Sequence, residues 1–165
     1  MTLSITRAWF IKGTVPQIKS PSGREKMSVF GALGENGQFV FEQSAVFNTI
    51  TFEHFLQKLI STVDTKKDAN GNKKKILLVL DNARYHHAKA LKPWLESVSD
   101  LLELCFLPPY SPDINIIERL WKKTRREVTH NRYFEKLDLI RYDLSMYWNN
   151  YIKPNEILTT LFTNN

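Results

Sequence analysis

The sequence predicts an α/β layer structure, and three of its features indicate this class. An Asn-Gly pair at positions 36–37, between two apolar runs, is a strong β-hairpin signal. The run Ile76–Leu80 is apolar without alternation, as in a parallel strand that is covered on both faces. Other segments repeat apolar residues at the three- and four-residue spacing of amphipathic helices. The predicted order is hairpin, helix, strand, helix, strand, helix, helix, which is typical of packed α/β layers.

The first part of this arrangement is a hairpin followed by a helix. Strands are predicted over Lys26–Leu33 and Gln38–Phe47, with the tight turn between them. Either Thr49 or Thr51 is predicted to cap a helix that runs to about Val63. An apolar patch at residues 8–11 precedes the hairpin.

The middle of the chain alternates strands and a helix. The polar, Lys-rich segment Asp64–Lys75 is predicted to be a surface loop. Ile76–Leu80 is then a central parallel strand, and a short helix follows over about His86–Val98, where Pro93 disturbs or shortens it. Leu101–Leu107 is the next apolar strand.

Two helices are predicted to complete the chain. Ser111 is a suitable N-cap, with Pro112 at the first helical position, for a long helix that reaches about Val128. The last helix is predicted over about Glu135–Tyr151.

Length and composition predict one folded domain over residues 1–165. The chain has 165 residues, of which 42% are hydrophobic, so it can build a core. Its net charge of +6 favours polyanionic partners, although many soluble proteins are as basic. Cys105 is the only cysteine, which excludes an internal disulfide and fits a reducing compartment. No signal peptide or membrane-length apolar run is present, so we expect a soluble cytoplasmic protein.

Asp81 is the first candidate functional residue, because it directly follows the apolar strand. In open α/β sheets, ligands bind in the crevice at the carboxyl ends of the strands. Asp is also common as a cap of a following turn or helix. Position alone leaves both interpretations open.

Glu118 is the second candidate. It lies at the edge of the apolar face of the long helix, next to Ile114 and Trp121. Taken alone, its commoner role would be a surface ion pair with Lys122 or Arg125 on the same helix.

Together, Asp81 and Glu118 predict a divalent-metal site. A hard cation such as Mg²⁺ binds carboxylate oxygens and keeps substrate phosphates in its coordination shell. Two-metal phosphoryl chemistry requires acids from different elements that converge in space, which a strand-end Asp and a helix-borne Glu can supply. We therefore expect these two side chains to hold Mg²⁺ or Mn²⁺ and to act on phosphodiesters.

Residues around the two acids are candidates for supporting roles. Asn82 either orients the Asp81 carboxylate or simply forms the turn, and the turn is the commoner role. His86 either supports the site or is an ordinary histidine at the start of a helix. A block of cations beside Glu118 either contacts DNA phosphates or forms a solvated helix face. The cations considered for DNA contact are Arg119, Lys122, Lys123, Arg125, Arg126 and Arg132.

Two segments carry a resemblance to a known family. VLDNARYHHA (79–88) and LCFLPPYSPDINIIERLWKK (104–123) resemble the catalytic core of DDE transposases of bacterial insertion sequences, a group related to mariner-like elements. The resemblance covers Trp9 to about Arg132. It implies that Asp81 is the second acid of the catalytic triad and Glu118 the third, with 36 residues (82–117) between them.

This resemblance implies a fold and a reaction. The fold is an RNase H-like mixed sheet flanked by helices. The reaction is metal-dependent cleavage of DNA at transposon ends, followed by attack of the freed 3′-hydroxyl on target DNA. The implied partners are DNA and, as an option, further copies of the chain, with no membrane association.

The chain departs from the family pattern in its first segment. The family's first acid ends a central first strand that lies upstream of a segment like Arg7–Gly13. Here six residues precede Arg7, and no Asp or Glu occurs before Glu25. The resemblance therefore implies that the first strand, the first Asp and the helix-turn-helix domain are missing. We expect an N-terminally truncated catalytic domain that is inactive or incomplete. The alternative is a non-enzymatic DNA-binding or oligomerisation fragment that modulates a full-length transposase.

Overall fold

The computed structural model describes residues 27–63, 74–109 and 114–163. Within these ranges the chain forms two two-stranded sheets and five α-helices. This mixture confirms the predicted α/β class.

Some sequence predictions fall on other parts of the chain. The apolar patch at residues 8–11, most of the loop at 64–75 and the cap at Ser111-Pro112 lie outside the described residues.

The predicted hairpin is confirmed. Strand β1 (Ser28–Leu33) pairs antiparallel with strand β2 (Phe39–Ser44). Gly37 lies in the turn at φ 75°, where its N–H donates to the carbonyl of Gly34 at 2.8 Å. A Cβ at Gly37 would lie 1.9 Å from the carbonyl oxygen of Asn155, so glycine is required both for the backbone angle and for this close approach.

Helix α1 (Thr49–Thr62) follows, but its predicted cap at Thr49 or Thr51 is wrong. Asn48 is the N-cap, and its Oδ1 accepts from the backbone N–H of Thr51 at 2.9 Å. Thr51 Oγ1 accepts in return from the N–H of Asn48 at 3.1 Å. This reciprocal pair satisfies two N–H groups that the first turn leaves unpaired, with Asn as the capping side chain.

Strands β3 (Ile76–Leu80) and β4 (Leu102–Phe106) pair in parallel, as predicted. The crossover between them is not one helix but two 3₁₀ turns, Arg84–His87 and Lys89–Leu91, followed by helix α2 (Lys92–Ser97). Pro93 lies in the first turn of α2, where its missing N–H is tolerated.

The predicted burial of β3 on both faces is wrong for the described part of the chain, whereas its central position in a sheet stays a prediction. Leu77 and Val79 are 59% and 51% exposed, whereas Leu80 is buried. β3 is paired only with β4 among the described strands. Its inner face packs on α1, but no described element packs over Leu77 and Val79, so the apolar run does not correspond to two-sided burial.

The rest of the described chain is helical. Helix α3 (Ile116–Thr124) continues as a π-helical turn (Arg125–Thr129), which confirms the long helix to about Val128. Helix α4 (Leu137–Asn149) confirms the next prediction. Helix α5 (Glu156–Thr163) was not predicted.

The hairpin lies between two hydrophobic cores, because successive residues of a strand point to opposite faces. Phe30 and Val40 face one core, which we call the α1 core. Phe39 faces the other, the α4 core, where the Trp121 ring lies over Gly31 so closely that a Cβ there would be 2.7 Å from its Cη2. The other buried residues of the α1 core are Phe52, Phe55, Leu56, Leu59, Leu80, Leu91 and Leu102. Those of the α4 core are Met27, Leu120, Val128, Phe134, Ile140, Leu144, Trp148, Tyr151 and Leu158.

Candidate active site

Asp81 directly follows β3, at the carboxyl end of the parallel pair. Its Oδ1 accepts a hydrogen bond from the backbone N–H of Ala83 at 3.1 Å. The side chain is nevertheless 66% exposed. Asp81 therefore forms a local turn and also presents its carboxylate to solvent, so the two roles left open by the sequence are compatible.

His86 supports Asp81 from the protein interior. Its ring is 8% exposed and packs on Phe52, with 4.4 Å between ring centroids. Its Nδ1 lies 3.0 Å from the Asp81 carbonyl oxygen and 3.3 Å from Asp81 Oδ1. A carbonyl can only accept, so Nδ1 carries the proton and donates. Burial lowers the pKa of His86, although the hydrogen bond and the charge of Asp81 oppose that shift.

Tyr85 completes the inner side of the Asp81 turn. Its ring packs edge-on against His86, with 4.4 Å between centroids. Burial and the nearby charge of Asp81 raise the pKa of Tyr85 to about 12. Tyr85 is therefore a neutral residue at physiological pH.

Asn82 connects the Asp81 turn to the end of β4. Its Nδ2 donates to the carbonyl oxygen of Leu107 at 2.5 Å. Its Oδ1 lies 3.2 Å from His87 Nε2, and the His87 ring stacks on Phe106 with 4.2 Å between centroids. Sequence reasoning did not single out His87. The only available signal was its position beside His86, which does not reveal a contact with another strand.

Glu118 lies in the first turn of α3, where an acidic residue interacts favourably with the helix dipole. It is exposed. The ion pair with Lys122 or Arg125 that its position suggested is not present among the described residues. Two cations of this helix bond elsewhere, Arg119 to the carbonyl oxygen of Leu161 and Lys123 to Glu127.

The two acids lie on elements that belong to different cores. β3, which ends at Asp81, packs into the α1 core, and α3 packs on β1 in the α4 core. No group of three or more His, Cys, Asp and Glu side chains within the described ranges is arranged to hold a metal ion. The convergence of Asp81 and Glu118 therefore stays a prediction.

Glu127 collects several donors on the π-helical turn. Lys123 Nζ lies 2.5 Å from its Oε1, and Arg126 Nη2 lies 3.5 Å from the same atom. The Tyr147 hydroxyl donates to Oε2 at 2.7 Å. Burial alone would raise the pKa of Glu127, but these hydrogen bonds and the Lys123 charge lower it overall. Burial and the bond to Glu127 raise the pKa of Tyr147.

The six candidate DNA-contact cations differ in their surroundings. Lys122 is exposed, and the Arg126 side chain is 72% exposed. Arg119 donates to the carbonyl oxygen of Leu161 at 2.7 Å, and Arg132 pairs with Asp143 at 3.1 Å. Lys123 is held by Glu127, and Arg125 is half-buried. Lys122, Arg126 and Arg132 are thus the exposed cations of this set, and Arg132 among them is held in an ion pair with Asp143.

Comparison with known proteins identifies the family. A family model described as DDE superfamily endonuclease matches residues 2–141, and the chain belongs to this family. The match confirms the resemblance to DDE transposases of insertion sequences.

Two relatives illustrate the relationship. The chain is 36% identical over 84 residues to the uncharacterized protein y4pE/y4sA of Sinorhizobium fredii, an alignment that covers 50% of this chain and 58% of the relative. It is 26% identical over 124 residues to an uncharacterized 39 kDa protein of insertion element IS630 from Shigella sonnei, covering 74% and 34%. The chain therefore matches only part of the length of each relative. Across the described ranges, no helix is both long and apolar enough to cross a membrane.

Proposed function

We propose that this chain is the catalytic domain of a DDE-type transposase, which performs metal-dependent DNA strand cleavage and strand transfer. The observation that carries this proposal is the environment of Asp81. It lies at the carboxyl end of a parallel strand, is held by Ala83 and His86, and still exposes most of its carboxylate. Family membership supplies the reaction class.

We further propose that residues 1–165 form a single RNase H-like domain that lacks the family's first strand, and that this strand would lie between the two small sheets. Support comes from a cavity of about 320 Å³ between the hairpin and β3. Residues 32–34 line one side of the cavity, and residues 76–78 line the other. A strand in this groove would pair with backbone edges that no described strand bonds, and would join the sheets into one mixed sheet.

The chemistry of Asp81 and Glu118 fits a hard divalent cation, Mg²⁺ or Mn²⁺. Both side chains offer carboxylate oxygens, which such ions prefer, and both are exposed to solvent. When bound, such ions activate a water or 3′-hydroxyl and stabilise the leaving oxygen. The role of the chain is to fix Asp81 through Ala83 and His86, and to present Glu118 from the start of α3.

We expect the separate 165-residue chain to cleave DNA weakly or not at all. The family mechanism uses three acids, whereas only Asp81 and Glu118 match that pattern here and no acid precedes Glu25. Activity would then require the remaining acid from elsewhere.

DNA binding is assigned to the cations of α3 and the residues after it. Lys122 and Arg126 are exposed to solvent, and Arg126 also lies 3.5 Å from Glu127. Arg119, Lys123 and Arg132 would have to exchange or share their present contacts, and Arg125 is half-buried. Phosphate contacts of this kind position a duplex and do not read its sequence.

The metal site is best tested by titrating Mn²⁺ into the ¹⁵N-labelled chain and recording paramagnetic broadening of amide signals. We expect signals around Asp81 and Glu118 to broaden together, and Asp81→Asn to remove the effect at both places. Asp138→Asn is the matched control, because Asp138 is an acid with an 85% exposed side chain on α4. Broadening at only one of the two acids, or none at either, would contradict a shared site.

A second candidate function is a non-enzymatic DNA-binding or oligomerisation fragment that modulates a full-length transposase. The exposure of Lys122 and Arg126 favours it, since DNA binding by these cations does not require the acids. A gel-shift titration distinguishes the two functions. Metal-independent binding that weakens steeply with salt, together with no Mn²⁺ broadening, would favour the fragment.

A further inference from the structure

We propose that His87 is a positioning residue, which keeps the Asn82 amide in the orientation that fixes the Asp81 turn against the end of β4. The inference deepens the proposed function and rests on it, because Asp81 is the metal ligand being positioned. His87 itself contacts neither metal nor DNA in this proposal.

Leu107 holds the chain on both sides of Asp81. Its backbone N–H donates to the carbonyl oxygen of Leu80 at 2.9 Å. Its carbonyl oxygen accepts from Asn82 Nδ2 at 2.5 Å. The residues immediately before and after Asp81 are therefore both bonded to one residue of the neighbouring segment, which restricts where the Asp81 carboxylate can lie.

The second of these bonds depends on the orientation of the Asn82 amide. An amide rotated by half a turn would direct Oδ1 at the Leu107 carbonyl oxygen, and two acceptors cannot bond. With Nδ2 bonded to Leu107, Asn82 Oδ1 faces His87 Nε2 at 3.2 Å, and an oxygen can only accept, so Nε2 carries the proton in this arrangement. In this tautomer His87 adds a second hydrogen bond to the amide orientation that bonds Leu107.

The His87 ring is itself fixed by β4. It stacks on Phe106 with 4.2 Å between centroids and 28° between planes. This contact gives a role to Phe106, which is 41% exposed at the end of the strand. These contacts form a closed set, which we call the Asn82 clasp. It consists of Asn82, His87, Phe106 and Leu107.

The experiment separates the hydrogen bond of His87 from its ring stacking. His87→Gln keeps an N–H donor but loses the ring, whereas His87→Phe keeps a ring and loses the donor. His54→Phe is the matched control, because His54 is an exposed histidine on α1. The readout is Mn²⁺ affinity, measured by calorimetry on the full chain, with thermal unfolding to show that each variant is folded.

We expect His87→Phe to weaken Mn²⁺ binding about five-fold, the effect of losing one ordinary hydrogen bond. His87→Gln should retain an affinity within about two-fold of the parent, and His54→Phe should have no effect. Adding His87→Phe to Asn82→Ala should cause no further loss, since His87 acts through Asn82. Equal affinities of His87→Phe and His54→Phe, or additive losses with Asn82→Ala, would overturn the proposal.

A measurement without metal keeps this inference distinct from the proposed function. In the ¹⁵N spectrum of the metal-free chain, the exposed Asn82 side-chain amide should exchange with solvent more slowly than an unbonded amide, because it donates to Leu107. That protection should be lost in His87→Phe and kept in His87→Gln. If the parent binds no Mn²⁺, the metal site fails, and an Asn82 amide unaffected by His87→Phe would show separately that the clasp fails.

Discussion

In the described part of the chain, the β1–β2 hairpin and the β3–β4 pair each contain two strands, but they are covered to different extents. The hairpin packs on both faces, with Phe30 in the α1 core and Phe39 fully buried in the α4 core. The β3–β4 pair packs on one face and leaves Leu77 and Val79 exposed. Asp81 belongs to the less covered sheet.

This difference shows how the protein separates stability from its candidate chemistry. Burial of large apolar side chains is the main favourable contribution to folding, and it is concentrated on the hairpin and the helices around it. A carboxylate that binds ions and phosphates has to remain accessible, and the end of β3 provides that access. We therefore expect substitutions around the hairpin to change stability most, and substitutions at the Asp81 turn to change metal binding with less effect on stability.

The largest expected effect is at Trp148, in the α4 core that packs on the hairpin. Its ring is fully buried against Phe39 and Phe41, and its Nε1 donates to Thr124 Oγ1 at 3.1 Å. Trp148→Ala should lower the free energy of unfolding by about 3–5 kcal/mol, through lost burial and a residual cavity. Urea denaturation measures this change.

Tyr142→Ala is the control for that prediction, since Tyr142 is an aromatic residue of the same helix that is 63% exposed. It should change the free energy of unfolding by less than about 0.5 kcal/mol. Similar losses in the two variants would mean that the α4 core does not dominate stability.

The next prediction compares the two faces of the β3–β4 pair. Leu102 on the inner face is 3% exposed and Leu77 on the outer face is 59% exposed. Leu102→Ala should cost about 2–5 kcal/mol of unfolding free energy, as for buried leucines in general. Leu77→Ala should cost less than about 0.5 kcal/mol, as for a surface position. A loss above about 2 kcal/mol for Leu77→Ala would show that this face is covered in solution.

Several features that depend on residues adjacent in the sequence were predicted correctly, although the N-cap of α1, which is also local, was not. The Asn36-Gly37 turn and the position of Asp81 after an apolar strand are local features, and both are confirmed. Two-sided burial of β3 was predicted wrongly because it depends on which elements pack over Leu77, and composition does not encode that.

The surroundings of the candidate site show the same limit. The i,i+4 spacing of Lys123 and Glu127 allows their pairing to be anticipated from the sequence. Tyr147, twenty residues further on, reaches the same carboxylate only because α4 packs beside the π-helical turn. The stacking of His87 on Phe106 likewise depends on the parallel pairing of β3 with β4.

The smallest expected effect is at Tyr147, a residue of α4 whose hydroxyl donates to Glu127 beside Lys123 and Arg126. Tyr147→Phe removes the hydroxyl that donates to Glu127, and should lower the free energy of unfolding at neutral pH by about 1 kcal/mol. Because the pKa of Glu127 is lowered in the folded protein, its contribution is present above the unfolded value of about 4.3 and is lost as pH falls through the folded value.

Removing one donor brings the folded pKa of Glu127 closer to its ordinary value, so Tyr147→Phe should lose less stability than the parent when the pH falls below about 4.3. Urea denaturation at a series of pH values measures both effects, and Tyr142→Phe on the exposed face of α4 is the matched control. If Tyr147→Phe and the parent had parallel stability–pH curves, the hydroxyl would not contribute to the lowered pKa of Glu127. The lowered pKa of Glu127 would then be due to Lys123 and Arg126.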